Sequence, residues 1–161
     1  MKLIPLGSTV RCIITGLTGC ATTETHQING NVRYDVQPRS EDGKGMPDAY
    51  VIDMQSLEIV DAGISGTATK PREHSFKTGQ KVRDVISGHE GVVTDILTFI
   101  NGCVFANVVP RKTDKSLLSD GAPAGSMLPV ERLELVDEGI RGRITAGEKP
   151  TGGPMARAVR I

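Results

Sequence analysis

The chain repeats itself. With Gly7 set over Gly79 and a constant offset, Val10 falls on Val82, Arg11 on Arg83, Ile14 on Ile86, Gly16 on Gly88 and Gly19 on Gly91. The same offset puts Thr22 on Thr94, Asn29 on Asn101, Gly30 on Gly102, Val32 on Val104, Val36 on Val108, Pro38 on Pro110 and Arg39 on Arg111. After a variable loop, with four extra residues in the second copy, the register resumes at Leu57-Glu58 over Leu133-Glu134 and at Val60-Asp61 over Val136-Asp137. Two copies are too few for a solenoid, so the pattern reads as a tandem duplication of one small module. The expected division is a first module at 1–61, a linker at 62–75, a second module at 76–137 and an extended C-terminal arm at 138–161.

Within a module the signals are for strands. Val10, Cys12 and Ile14 alternate with polar neighbours, as do Val32, Tyr34 and Val36, which is the period of a half-buried strand. Asn29-Gly30 and Asn101-Gly102 predict two-residue hairpin turns of type I′, where both central residues need positive φ. Gly16 and Gly19, like Gly88 and Gly91, are expected to bound a second tight turn. Val51–Met54 and Leu57–Val60 then read as the closing strands of the first copy. Four or five short antiparallel strands per copy predict an all-β fold of two tandem small SH3-like barrels plus the extended arm. With 19 Gly and 9 Pro, many turns and few helices are expected. A module this small buries little core, so packing on a neighbour or on partners is expected.

The segment Gly79-x-x-Val82 followed by Gly88-x-x-Gly91-x-Val93 resembles the KOW-type pattern of SH3-like barrels in ribosomal and transcription-elongation proteins. Three runs, Gly79–Asp84, Gly88–Thr94 and Asn101–Val104, with the closing Leu133–Val136, resemble small uncharacterised proteins of tailed bacteriophages. That second resemblance covers most of both copies. It implies a phage setting and brings no catalytic residues, and this chain departs from the single-module form in having two copies and a long tail.

Chemistry is sparse. Lys+Arg and Asp+Glu are both 19, whereas a dedicated nucleic-acid binder shows a basic excess. No apolar run approaches the ~20 residues that span a bilayer, and Met1–Pro5 is too short in apolar length for a signal peptide. No Gly-x-Ser-x-Gly elbow, His-Glu-x-x-His or Walker loop occurs. Cys12, Cys20 and Cys103 are odd in number and lie at non-equivalent positions, as do His26, His74 and His89, so neither full disulfide pairing nor a clustered zinc site is expected. Asp35, Asp42, Asp48 and Asp53 offer no repeated carboxylate pair, because Asn107 and Pro129 replace Asp35 and Asp53 in the second copy. The recurring Arg11/Arg83 and Arg39/Arg111 suit either phosphate contact or ion pairs with residues such as Asp35 or Asp84.

The segment 138–161 carries Arg141, Arg143, Lys149, Arg157 and Arg160 against Glu138 and Glu148. Its end, Met155-Ala156-Arg157-Ala158-Val159-Arg160-Ile161, interleaves apolar and basic side chains, a pattern able to add a strand to a neighbour's sheet edge. The expectation is a non-enzymatic structural protein of a phage virion, in head decoration, neck or tail. It would need no cofactor, metal or catalytic residue. Its partners would be other virion proteins and itself, through an arm including Arg141, Arg143, Arg157, Val159 and Ile161. Nucleic acid and membrane are not expected as partners. The alternatives are a KOW-like protein binding nucleic acid or the transcription machinery, and a phage inhibitor of a host protein.

Overall fold

A computed structural model describes residues 2–112 and 123–146. The first copy forms β1 (Thr9–Cys12), β2 (Thr18–Gln27), β3 (Val32–Gln37), β4 (Tyr50–Asp53), a 3-10 turn (Met54–Ser56) and β5 (Leu57–Asp61). The second forms β6 (Lys81–Asp84), β7 (Glu90–Phe99), β8 (Val104–Val109), β9 (Ser126–Pro129), a 3-10 turn (Val130–Arg132) and β10 (Leu133–Asp137). A short helix α1 (Arg141–Ala146) follows. The protein is all-β and every ladder is antiparallel. Each copy has the ladder order β5-β1-β2-β3-β4 or its equivalent β10-β6-β7-β8-β9. Among the described residues no ladder joins β4 to β5 or β9 to β10, so the sheet is open.

Each copy buries its own core. Val10, Ala21, Val32, Tyr34, Val36 and Met54 cluster in the first, with Ile4 from the N-terminal segment. Val82, Val93, Ala106, Val108 and Leu133 cluster in the second. The alternation Val32, Tyr34, Val36 turns one face of β3 inward, as its spacing predicts. Each fully buried valine contributes roughly 1.5–3 kcal/mol. Ile14 breaks the expected run: β1 ends at Cys12, and Ile14 lies in the following loop, exposed.

The two copies are joined edge to edge through β2 and β7. Thr25 stands opposite Leu97, its own counterpart in the second copy. The flanking pairs Thr23–Phe99 and Gln27–Asp95 interchange under the repeat, as do Glu24–Thr98 and His26–Ile96. A pseudo-twofold axis therefore passes between Thr25 and Leu97. At the ends of this seam the Ile28 amide donates to the Thr94 carbonyl at 2.8 Å, and the Ile100 amide to Thr22 at 2.9 Å. Thr22 and Thr94 sit where the β2–β3 and β7–β8 ladders shift register. A bulge takes its extra residue out of its own ladder, which leaves these carbonyls for the other copy. The recurrence of threonine and isoleucine at these positions thus falls on the seam.

Three expectations need correction. Among the described residues positive φ occurs only at glycine, so Asn29 and Asn101 do not form type I′ turns. Instead Gly30 N–H donates to Gln27 at 2.9 Å and Gly102 N–H to Phe99 at 2.8 Å. Gly30 and Gly102 alone take φ of 87°. Each asparagine side chain accepts a hydrogen bond from the amide two residues on, at 3.0 Å, an Asx turn that holds the loop without positive φ. Second, Gly16 and Gly88 are turn residues at φ 78°, but Gly19 and Gly91 lie within β2 and β7. A Cβ on Gly19 would stand 2.5 Å from the Gln37 carbonyl oxygen, and one on Gly91 2.5 Å from that of Val109. Their glycine is needed for close strand crossing. Third, the segment expected to be an extended arm opens as helix over Arg141–Ala146.

The repeat also runs further than the identities at Asp61 and Asp137. Gly63 and Gly139, at φ 50° and 56°, are followed by Ile64 and Ile140, whose amides each donate at 2.9 Å to Gly7 and Gly79. Beyond them the chain at 62–75 is held to the second copy: Thr69 N–H donates to Ile100 at 3.1 Å and Arg72 N–H to Gly102 at 2.9 Å.

Candidate partner-binding groove

The β1–β2 and β6–β7 loops have the same build. Gly16 N–H closes on the Cys12 carbonyl and Gly88 N–H on that of Asp84, each at 2.8 Å. The 3-10 turns anchor both loops, with Ile13 N–H donating to Ser56 at 2.9 Å and Val85 N–H to Arg132 at 2.8 Å. The next side chain therefore points out: Ile14 is 77% exposed and Ile86 is 72% exposed. Ile13 and Val85 beside them are exposed too. Neither isoleucine packs in a core, yet both copies carry it.

Beneath the loops the copies diverge. In the second, the buried Asp84 accepts from Arg132 Nε at 2.9 Å and Nη2 at 2.6 Å, and from the Ser87 hydroxyl at 2.5 Å. The Arg132 hydrogen bonds, then those of Ser87, hold its carboxyl far below the ordinary range. In the first copy Cys12, Ser56 and Thr15 occupy the three equivalent positions. Cys12 is a buried free thiol, held below its usual pKa chiefly by hydrogen bonding with Thr15. These side chains are too short to span the two positions as the Arg132–Asp84 pair does. A groove of about 810 Å³ remains between the loop and β4, lined by Ile14, Leu17, Tyr50, Val51 and Ile52. Arg33 and Asp53, paired at 2.8 Å, close one end.

The recurring arginines separate into two kinds. Arg11 pairs with Glu58 at 2.7 Å, and Arg83 with Glu90 at 2.7 Å and Glu134 at 2.9 Å, so both tie neighbouring strands, though not through Asp35 or Asp84. Among the described residues neither Arg39 nor Arg111 has an ion-pair partner. Each lines a depression at an equivalent place, Arg39 with Gly63 and Ile64, Arg111 with Gly139, Ile140 and Arg143. Of the candidate arm, Arg141 pairs loosely with Glu138 at 3.9 Å and its Nη1 reaches the Thr78 carbonyl at 3.5 Å. Arg143 lies beside it on α1. Arg157, Val159 and Ile161 lie outside the described residues.

One polar network is confined to the first copy. The Tyr34 hydroxyl donates to Glu24 Oε2 at 2.9 Å and accepts from the Ile4 amide at 2.9 Å. Glu24 Oε1 lies 2.6 Å from His26 Nε2. That hydrogen bond raises the His26 pKa against the opposing effect of burial. A raised histidine pKa adds stability that is full below the ordinary value and is lost as pH rises through the raised one. The urea midpoint should therefore fall between about pH 6 and pH 9, a range bracketing the ordinary histidine pKa, and His26→Gln should flatten this part of the slope. Tyr34→Phe removes a charge-assisted bond and leaves the Ile4 amide unpaired. Equilibrium unfolding should report a loss of about 1.5–3 kcal/mol.

Sequence reasoning missed the groove because two of its lining residues, Cys12 and Ser56, stand out only beside Asp84 and Arg132 of the other copy. The signal was readable: small residues at 12 and 56 stand where the second copy carries opposite charges. Asp61-x-Gly63-Ile64 over Asp137-x-Gly139-Ile140 was readable in the same way. Among the described residues no group of three or more His, Cys, Asp or Glu is placed to hold a metal, and no helix is long and apolar enough to cross a membrane. No family model, curated protein or solved structure matches the chain.

Proposed function

We propose that this chain is a non-enzymatic structural component of a tailed-phage particle, in head decoration, neck or tail. It docks through two SH3-like modules, and the segment beyond Gly139 links neighbouring subunits. The observation that carries the reading is the pair Ile14 and Ile86, the same exposed apolar residue at the tip of the same loop in both copies. Ile14 shares one groove with the exposed Tyr50 and Val51, and contiguous apolar patches on surfaces mark interaction sites. The pseudo-twofold seam repeats each tip once across the axis, which suits docking on a repetitive surface. Strand order β5-β1-β2-β3-β4 with a 3-10 turn before the last strand supports the SH3-like assignment of each module. The phage setting rests on the resemblance of Gly79–Asp84, Gly88–Thr94 and Asn101–Val104 to tailed-phage proteins.

Ile14→Asp and Ile86→Asp should each leave stability within about 0.5 kcal/mol of the parent, as exposed substitutions do. Together they should strip the chain from assembled particles. Particles that retain the double variant at the parental ratio would contradict the reading. The KOW-like alternative draws on Lys81, Arg111 and Arg143 around the second copy's depression. It predicts DNA or RNA binding that weakens steeply with salt, and no binding at low salt would remove it.

A further inference from the structure

The open groove in the first copy runs beside an open sheet edge. Among the described residues β4 is hydrogen-bonded to β3 alone. Its counterpart β9 carries Pro129 opposite Phe105, where β4 has Asp53 opposite Arg33. Proline survives in a ladder only where its nitrogen faces away from the neighbour. By the repeat, the Asp53 amide faces outward from β4, and so does that of Val51 two residues earlier. Edge strands are usually blunted by proline or lysine. The second copy's edge has its proline, and the Arg132–Asp84 pair stands where the first copy has Ser56 and Cys12. Tyr50-Val51-Ile52-Asp53 has neither proline nor lysine, and Tyr50 and Val51 are exposed. Among the described residues, β4 therefore offers an unblunted edge beside an apolar groove.

The charge around that edge selects its occupant. Arg33 and Asp53 cancel within the groove, and the depression that shares Leu17 and Tyr50 with it is lined by Glu41, Asp42 and Asp48 against Arg39. Residues 155–161 carry Arg157 and Arg160 with no acid, interleaved with Met155, Val159 and Ile161. The intervening 147–154 contains Pro150 and Pro154, which cannot donate to a ladder. Eight extended residues span at most about 28 Å, enough to leave one molecule and reach a neighbour. We infer that residues 155–161 of a second copy of this chain add a strand to the open edge of β4, with apolar side chains entering the groove of Ile14, Leu17 and Tyr50. That the strand comes from a second copy rests on the subunit-linking role proposed above. Main-chain bonds to Val51 and Asp53 supply affinity in such strand addition, and the pockets beside them supply choice of partner.

Amide exchange on the full chain tests this, together with light scattering for mass. Val51 should be protected in the parent chain, and more so as concentration rises. Val159→Pro is made together with Ala158→Pro, because alternate amides of an added strand face its neighbour and one of the two must face β4. The double variant should speed Val51 exchange at least tenfold and lower the apparent mass to that of a single chain. The isotope-labelled double variant mixed with excess unlabelled parent should regain Val51 protection, because the parent supplies the missing strand. Parental exchange in the double variant would overturn the docking, and mixing without effect would overturn the second copy as its source. Particle content, scored separately, distinguishes these failures from a failure of the proposed function.

Discussion

Gly91→Ala should cost the second copy about 3 kcal/mol or more, at or beyond the upper end of usual overpacking penalties. The added Cβ would meet the Val109 carbonyl oxygen at 2.5 Å and its carbon at 2.7 Å, with the Val108 side chain at 2.9 Å. Two of these are backbone atoms of the paired strand, so no rotamer change relieves the contact. Gly19→Ala should behave alike in the first copy, against Gln37. Gly16→Ala and Gly88→Ala are the controls. Both glycines sit at φ 78° with open space around the would-be Cβ, so only the left-handed backbone cost of about 1–2 kcal/mol applies. Urea unfolding of the four variants should rank the strand glycines well below the turn glycines.

The second large effect is expected at Asp84. Asp84→Ala deletes the acceptor of Arg132, Ser87 and the Ser87 amide together. It leaves the Arg132 guanidinium without its carboxylate partner. Breaking one partner of a buried pair costs more than replacing both. Asp84→Cys with Arg132→Ser installs the first copy's own solution at these positions, and should be more stable than Asp84→Ala. The loss in Asp84→Ala should also exceed that in Arg11→Ala, whose ion pair is exposed at both ends. A carboxyl held below its ordinary range adds stability that is full above the unfolded-state value and is lost as pH falls through the lowered one. Acid unfolding of the parent should therefore extend well below pH 4, about the ordinary aspartate value, and Asp84→Ala should lose that acid-side slope.

Much of the strand pattern was legible in the residues. Period-two alternation placed β3, and the Gly and Asn-Gly signals located the turns of both copies. The turn type was misread because a type I turn ending on a positive-φ glycine uses the same dipeptide as type I′. Gly19 and Gly91 were misread because a strand glycine placed for close crossing looks like a turn glycine in sequence. The seam was out of reach of periodicity: Thr22, Thr94, Ile28 and Ile100 bind through backbone groups, which leave no side-chain pattern. The groove needed comparison across the copies. Cys12 and Ser56 are unremarked alone, and gain meaning only beside Asp84 and Arg132.

The most direct test of the account is the amount of this chain in purified phage particles, measured by mass spectrometry against the major shell protein. A fixed stoichiometric ratio, unchanged by further purification, is the predicted result. Its size would separate shell decoration from a neck or tail ring. Absence from clean particles would contradict a structural role and leave the nucleic-acid and host-inhibitor readings to explain the two exposed isoleucine tips.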